Sequence, residues 1–270
     1  MDPIRVIILF GLLLAGWVIW RRMMRDIRRS KMRARGIPDE WRVILERNVP
    51  LYGRLPEGLQ RELEGLINIF VAEKRFEGCG GQEITDEVRV TVSGQACMLL
   101  LNRATRFYPK LRTIYVYPSS YMARQPDGYH GVDGEARQGE SWQNGPVVLA
   151  WDSVKGGACN MEDGKNVVFH EFSHQLDQED GAADGAPILE SRSCYASWAR
   201  VLSAEYKTLR GRVKKNRRSV VRRYGASHPA EFFAVATEAF LEKPRQMKKK
   251  HPEMYDELKG YYRVDPLSWK

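Results

Sequence analysis

His170, Glu171 and His174 fall in the order H-E-x-x-H within the stretch NVVFHEFSHQLD. On an α-helix, residues four apart stack on one face, so both imidazoles can reach a single ion. Glu171 stands one step round the helix, where its carboxylate meets a water on that ion. Two imidazoles, a carboxylate base and an activated water make a zinc hydrolase site. The stretch is apolar and free of Pro and Gly, as a helix interior requires. A third ligand must come from elsewhere. The sequence after His174, QLDQEDGAADG, carries no histidine at the metzincin distance. The other histidines, His130, His228 and His251, are not in a helix interior facing the motif. That leaves a carboxylate on a following helix. Glu231 and Glu238 lie seven apart in PAEFFAVATEAF and share a face, and side-chain chemistry alone does not choose between them. Glu231 also suits a first-turn carboxylate favoured by the helix dipole, and Glu238 an acid behind the ligands. Tyr224 and His228 precede this helix and can donate a hydrogen bond to a developing oxyanion, with Arg222 and Arg223 nearby. Asp177, one turn beyond His174, either orients that imidazole or ends the helix as a surface acid.

These residues need elements to hold them. The motif helix is expected to start near Lys165 or Asn166, with Asn166 or Asp163 as its cap, and to stop before Gly181. The PAEFFAVATEAFLE helix opens on Pro229 at an N1-like position. Helical spacing also covers Glu40 to about Ala72, with a Pro/Gly break, and about Tyr195 to Leu209. VRVTVSGQACMLLLNR is read as a strand or helix start that turns into a buried helix. TIYVYPSS alternates as a strand, and Val147–Trp151 reads as a second one, placed to pair with an extended peptide. Residues 122–141 are polar and Gly-rich, a long loop or hairpin.

The formal net charge of +9 is unevenly placed. Residues 1–36 hold nine Arg/Lys against Asp2 and Asp26, so +7 of the total, and the remaining 234 residues carry +2. No direct nucleic-acid binding is expected from such a balance. Val6 to Trp20 is an uncharged apolar run, short for a membrane span, followed by eight Arg/Lys in fifteen residues. The positive-inside rule then places the chain after Arg21 in the cytoplasm, with residues 6–20 as a single-pass signal anchor. A surface-lying helix and a cleaved signal are the other readings. The later run RGRVKKNRRSVVRR reads as a solvated face. Cys79, Cys97, Cys159 and Cys194 form no C-x-x-C pair and read as free thiols.

The stretches KRFEGCGGQEITDEVRVTVSGQACMLLLNR, YPKLRTIYVYPSSY, NVVFHEFSHQLDQEDGAADG, YGASHPAEFFAVATEAFLEKP and YDELKGYYRVDP are spread through nearly the whole chain between about Glu40 and Pro266. In them the chain resembles the Mlc titration factor A family of zinc peptidases, whose fold resembles the catalytic domain of anthrax lethal factor. The resemblance implies one Zn²⁺ held by His170, His174 and Glu231. It also implies Glu171 as general base and Tyr224 as the electrophilic hydroxyl. An enterobacterial member binds a sugar-responsive transcriptional repressor, so such a repressor joins peptide or protein substrates and the membrane as expected partners. The expectation is thus an α+β, mostly helical zincin-like metallopeptidase domain with a small sheet, after an N-terminal membrane-anchor helix. Residues 1–36 form the anchor and basic linker; 37–270 form the domain, helical to about 130 and catalytic from about 131. The bacterial inner membrane, with the domain cytoplasmic, is the expected location, and the cytoplasm the alternative. Two other functions fit the residues: a zinc-bound regulatory module that sequesters a protein partner without proteolysis, and a hydrolase of non-peptide amides.

Overall fold

A computed structural model describes residues 3–104, 106–119, 139–141 and 145–269; in the helical segment 5–8 and in 139–141 it describes the backbone only. The fold is α+β and mostly helical. The first helix, α1 (Pro3–Ala34), takes in the apolar run and the basic stretch as one rod. The basic stretch is therefore helix, in place of the expected linker. Its C-terminal half lies on α4 (Glu57–Glu73). Arg29 donates to Glu73 twice, from Nε at 2.8 Å and from Nη2 at 2.6 Å, and stacks over the Phe107 ring. Asn68 Nδ2 donates to the Arg35 carbonyl at 2.6 Å. Gly65 makes the docking possible, because a Cβ there would stand 2.5 Å from the Arg33 carbonyl oxygen.

Leu9, Phe10, Leu12, Leu13, Trp17, Ile19 and Trp20, further up α1, are exposed. Among the described residues no helix is long and apolar enough to cross a membrane. Val6, Ile7 and Ile8, which open the expected anchor, have side chains outside the described set.

Between α1 and the sheet come α2 (Asp39–Asn48), α3 (Pro50–Arg54) and α4. The four-stranded sheet has the order β1-β2-β4-β3. Strands β1 (Arg75–Gly78), β2 (Thr113–Tyr117) and β4 (Val147–Ala150) run parallel, and β3 (Gly139–Ser141) is antiparallel to β4. The expected strand over Val147–Trp151 is thus β4, shortened by one residue. It lies between two partners and has no open edge for a peptide. Of the expected loop or hairpin over 122–141, only β3 falls within the described residues.

The segment VRVTVSG is helix throughout, as α5 (Asp86–Met98), and not a strand. Thr85 caps it by accepting from the Val88 N–H, and Asp86 and Glu87 favour the positive end of its dipole. Burial against α2 and α4 then overrides the β-branched preference of its valines. After β4 come α6 (Trp151–Cys159), α7 (Val167–Asp177), α8 (Arg192–Lys214), α9 (Pro229–Glu242), α10 (Pro244–Lys250) and α11 (Pro252–Tyr262).

Helices α7 and α9 are buried on nearly every side, which is why neither shows a clean polar face. α7 packs along β3 and β4 and against α5, α6 and α9. Phe172 anchors it in an aromatic cluster, 4.9 Å from Tyr108 and 5.8 Å from Phe70 by ring centroids. Trp198 of α8 and Tyr262 of α11 pack on Phe233 and Phe240 of α9.

Gly65→Val should drive α1 off α4, because the added side chain meets a backbone carbonyl and overpacking of this kind costs about 1–3 kcal/mol. Limited trypsin digestion checks it: cleavage within 21–35 should speed up while cleavage elsewhere in the chain keeps its wild-type rate. Unchanged cleavage would show that the contact with α4 does not hold α1.

Candidate metal centre

Asn166 caps α7, accepting the Phe169 N–H at 3.0 Å, while its own Nδ2 donates to Gln95 Oε1 at 2.9 Å. With its start pinned, α7 aims His170 and His174 the same way, with ring centroids 4.9 Å apart. Helix α9 delivers the third group. His228 is its cap, Nδ1 accepting the Ala230 N–H at 3.2 Å, and Pro229 opens its first turn. Glu231 follows in that turn, with Oε2 3.0 Å from His170 Nε2 and 3.4 Å from His174 Nε2. Ligand atoms of His170, His174 and Glu231 all lie within 4.8 Å of one another.

Glu231 Oε2 is buried and has no well-directed hydrogen bond. Two imidazole nitrogens and one carboxylate oxygen converge on one point, a donor set that suits a zinc-like cation. The electrostatics agree. Burial disfavours the charged imidazolium, but Glu231 and Glu238 outweigh it and push His170 up to about 10. Burial likewise opposes ionisation of Glu231, yet His170 and His174 hold its carboxyl well below the usual carboxylate range. The pocket calls for positive charge, which a proton or a metal ion can supply.

Glu238 stands behind the ligands. It is fully buried and takes the other nitrogen of His170, with Nδ1 to Oε1 at 2.7 Å. Arg222 Nη2 donates to both its oxygens, at 2.6 and 2.8 Å, and the Asn166 N–H donates to Oε2 at 2.7 Å. A carboxylate so placed accepts from Nδ1–H and leaves Nε2 as the free electron pair. Of the two glutamates that side-chain chemistry leaves open, the fold puts Glu231 with the imidazoles' Nε2 atoms and Glu238 on the far side of His170.

Tyr224 lies in a 3-10 turn (Arg223–Ala226) just before α9. It is 53 % exposed, and its ring centroid is 5.8 Å from that of His170. Gly225 lets this turn approach, since a Cβ there would be 3.3 Å from Phe232 Cα. Glu171 is buried on α7 beside the two imidazoles. Arg222 is spent on Glu238 and the Gly164 carbonyl, and Arg223 on Asn216. His228 uses Nδ1 as an acceptor in its cap. Of these four, Tyr224 is the one whose ring lies against the His170 imidazole.

Asp177 is not a surface acid, and the hydrogen bond it accepts comes from the loop after α7 rather than from His174. It is fully buried and accepts the Gly185 N–H at 3.0 Å, and burial raises its carboxyl to about 6. Gly185 has φ +80°, and a Cβ there would meet the Pro229 carbonyl at 2.5 Å. Asp177 thus ties the loop after α7 against the start of α9.

A H-E-x-x-H helix, a facing glutamate and an adjacent tyrosine on an α+β scaffold define a metallopeptidase-like domain. The model of the glucose-regulated metallo-peptidase M90 family matches residues 21–263, and the chain belongs to this family. An uncharacterized protein of Synechocystis is 39 % identical over 256 residues, covering 93 % of this chain and 90 % of its own. Mlc titration factor A of Klebsiella pneumoniae is 27 % identical over 226 residues, 81 % of this chain and 84 % of that protein. That of Yersinia pestis is 26 % identical over 228 residues, covering 82 % and 83 %.

Glu242, one turn after Glu238, has no signal in the sequence. Burial pushes its carboxyl up to about 8, although the Lys165 N–H donates to Oε2 at 3.1 Å. Glu238 and Asp163 face it as well, and Oε1 has no hydrogen-bond partner. The unfolded chain gives up this proton near about 4.3, so between that pH and about 8 the folded state holds more protons. Stability contributed here is present at low pH and lost as pH rises through the window. Glu242→Gln should match wild type near pH 4 and exceed it by at least about 1 kcal/mol above pH 8. Thermal melts across that range check it, and a pH-independent difference would refute the burial of an ionisable acid here.

Proposed function

We propose that this chain is a zinc-dependent peptidase that uses His170, His174 and Glu231 as ligands and Glu171 as general base. The observation that carries this reading is the convergence of the two imidazole Nε2 atoms on a buried Glu231 oxygen without a well-directed hydrogen bond. When bound there, zinc supplies a Lewis acid and a water of lowered pKa. Glu171 takes the proton of the attacking water and delivers it to the leaving amine. Tyr224, exposed beside His170, donates its hydroxyl hydrogen to the carbonyl oxygen as negative charge develops there. Glu238 and Arg222 keep His170 in the Nδ1–H tautomer throughout. An extended peptide can run along β3, the edge strand that packs on α7.

The relatives named for Mlc titration support a second role, binding of a transcriptional repressor, in which the site need cleave nothing. For α1, the exposed apolar residues from Leu9 to Trp20 and the cations after them support attachment to the cytoplasmic face of a bacterial inner membrane.

Cleavage of a peptide library separates these readings. Glu171→Gln should keep zinc and lose about 100-fold or more in kcat. Tyr224→Phe should also keep zinc and lose about 100-fold, as removal of an oxyanion donor does. Full activity in Glu171→Gln would overturn the mechanism. A repressor-binding role that survives Glu171→Gln intact, with no peptide cut by wild type, would establish the second role in place of the first.

A further inference from the structure

Residues 37–270 carry only +2, yet 207–223 alone hold nine Arg/Lys and no Asp or Glu, so the rest of that region is net −7. The cationic run covers the C-terminal turns of α8, the loop after it and the first residue of the turn that bears Tyr224. Its position is fixed by packing. Tyr206 Oη donates to the Ala226 carbonyl at 3.3 Å, and Leu209 lies 3.4 Å from where a Gly225 Cβ would be. The loop is folded back on the helix end, with the Arg217 N–H donating to the Arg212 carbonyl at 2.9 Å and Arg212 to the Arg218 carbonyl at 3.1 Å.

One cation of the run, Arg222, turns inward to Glu238. The other eight are exposed: Lys207 and Arg210 on α8, then Arg212, Lys214, Lys215, Arg217, Arg218 and Arg223. Among the described residues none of these eight is ion-paired with a carboxylate. Solvated surfaces normally mix both signs, and a block of one sign held beside a cleft raises the local concentration of the opposite charge. Here the block ends at Tyr224, 5.8 Å from the His170 ring by centroids, and so flanks one side of the metal centre.

Resting on the peptidase reading, the geometry points to acidic polypeptides as the preferred substrate: chains with Asp or Glu on one side of the cleaved bond. An extended peptide advances about 3.4 Å per residue, so the ridge would meet side chains away from the scissile bond on one side rather than those at it. The cations also offset the repulsion that Glu171 and Glu231 would exert on an acidic chain. The selectivity is electrostatic and long-range, so it weakens as salt shortens the screening length.

The test uses the full chain and fluorogenic peptides with one apolar core, flanked by Glu, Gln or Lys on either side. Wild type should prefer Glu over Gln by about tenfold in kcat/KM at low salt, mainly through KM, and on one side only. Lys214→Gln/Lys215→Gln/Arg217→Gln/Arg218→Gln should abolish the preference while Gln-flanked peptides are cut at the wild-type rate. Equal rates for Glu- and Gln-flanked peptides would overturn the inference. If wild type cuts no peptide, the peptidase reading fails by itself, and fluorescence anisotropy of the labelled Glu-flanked peptide decides the ridge. Binding at least about tenfold weaker in the quadruple variant supports the inference, and equal binding overturns it. Loss of binding to phosphatidylserine vesicles in that variant, with the peptide preference intact, would assign the ridge to lipid and overturn it as well.

Discussion

A fully buried carboxylate is the constraint on which the rest of this site depends. Placing an ion such as Glu238 in the interior costs several kcal/mol unless every lone pair finds a donor. The fold supplies them from three places: the His170 ring on α7, the Arg222 guanidinium before the Tyr224 turn, and the Asn166 N–H at the start of α7. Satisfying one acid therefore fixes the crossing of α7 and α9, the tautomer of His170 and the approach of the Tyr224 turn. Asn166 serves twice, since its side chain also caps α7 and reaches Gln95 on α5.

Two glycines let these segments come close enough. Gly185 passes under the Pro229 carbonyl, and Gly225 presses the Tyr224 turn onto α9. Around them the apolar packing is heavy, with Phe169, Phe172, Phe233 and Phe240 all inaccessible to solvent. A rigid frame of this kind holds ligand atoms in place before any ion arrives, which is the condition for a tight and selective metal site. The same frame packs the end of α8 against the Tyr224 turn, and so joins the cationic ridge to the turn that lies by the His170 ring.

Much of this is legible in the sequence, and the gaps have physical causes. H-E-x-x-H names a helix and two ligands because four-residue spacing on a helix has one geometric meaning. Glu231 against Glu238 stays open, because both share a face of α9 and only the crossing with α7 separates them. The family resemblance chooses Glu231, and the fold brings that residue to the imidazoles. VRVTVSG looks strand-like because its valines favour strands; a capping threonine and burial on α2 and α4 decide otherwise. β1 leaves no signal, since four residues with an exposed–half-buried pattern show no alternation. The basic stretch after Trp20 is visible as charge, but its docking rests on Gly65 and Asn68, some thirty residues away in the chain. Glu242 is invisible for the same reason: its environment is made by Lys165, Asp163 and Glu238.

The two glutamates of α9 stand in different places, Glu231 at the imidazoles' Nε2 atoms and Glu238 at Nδ1 of His170, and metal analysis tests the roles proposed for them. Zinc content is measured on purified Glu231→Ala and Glu238→Ala, with a competing chelator to rank affinities. Glu231→Ala should hold no stoichiometric zinc. Glu238→Ala should still bind one ion, weakened by about 10- to 100-fold through loss of the partner that orients His170. Zinc retained in Glu231→Ala and lost in Glu238→Ala would contradict this division.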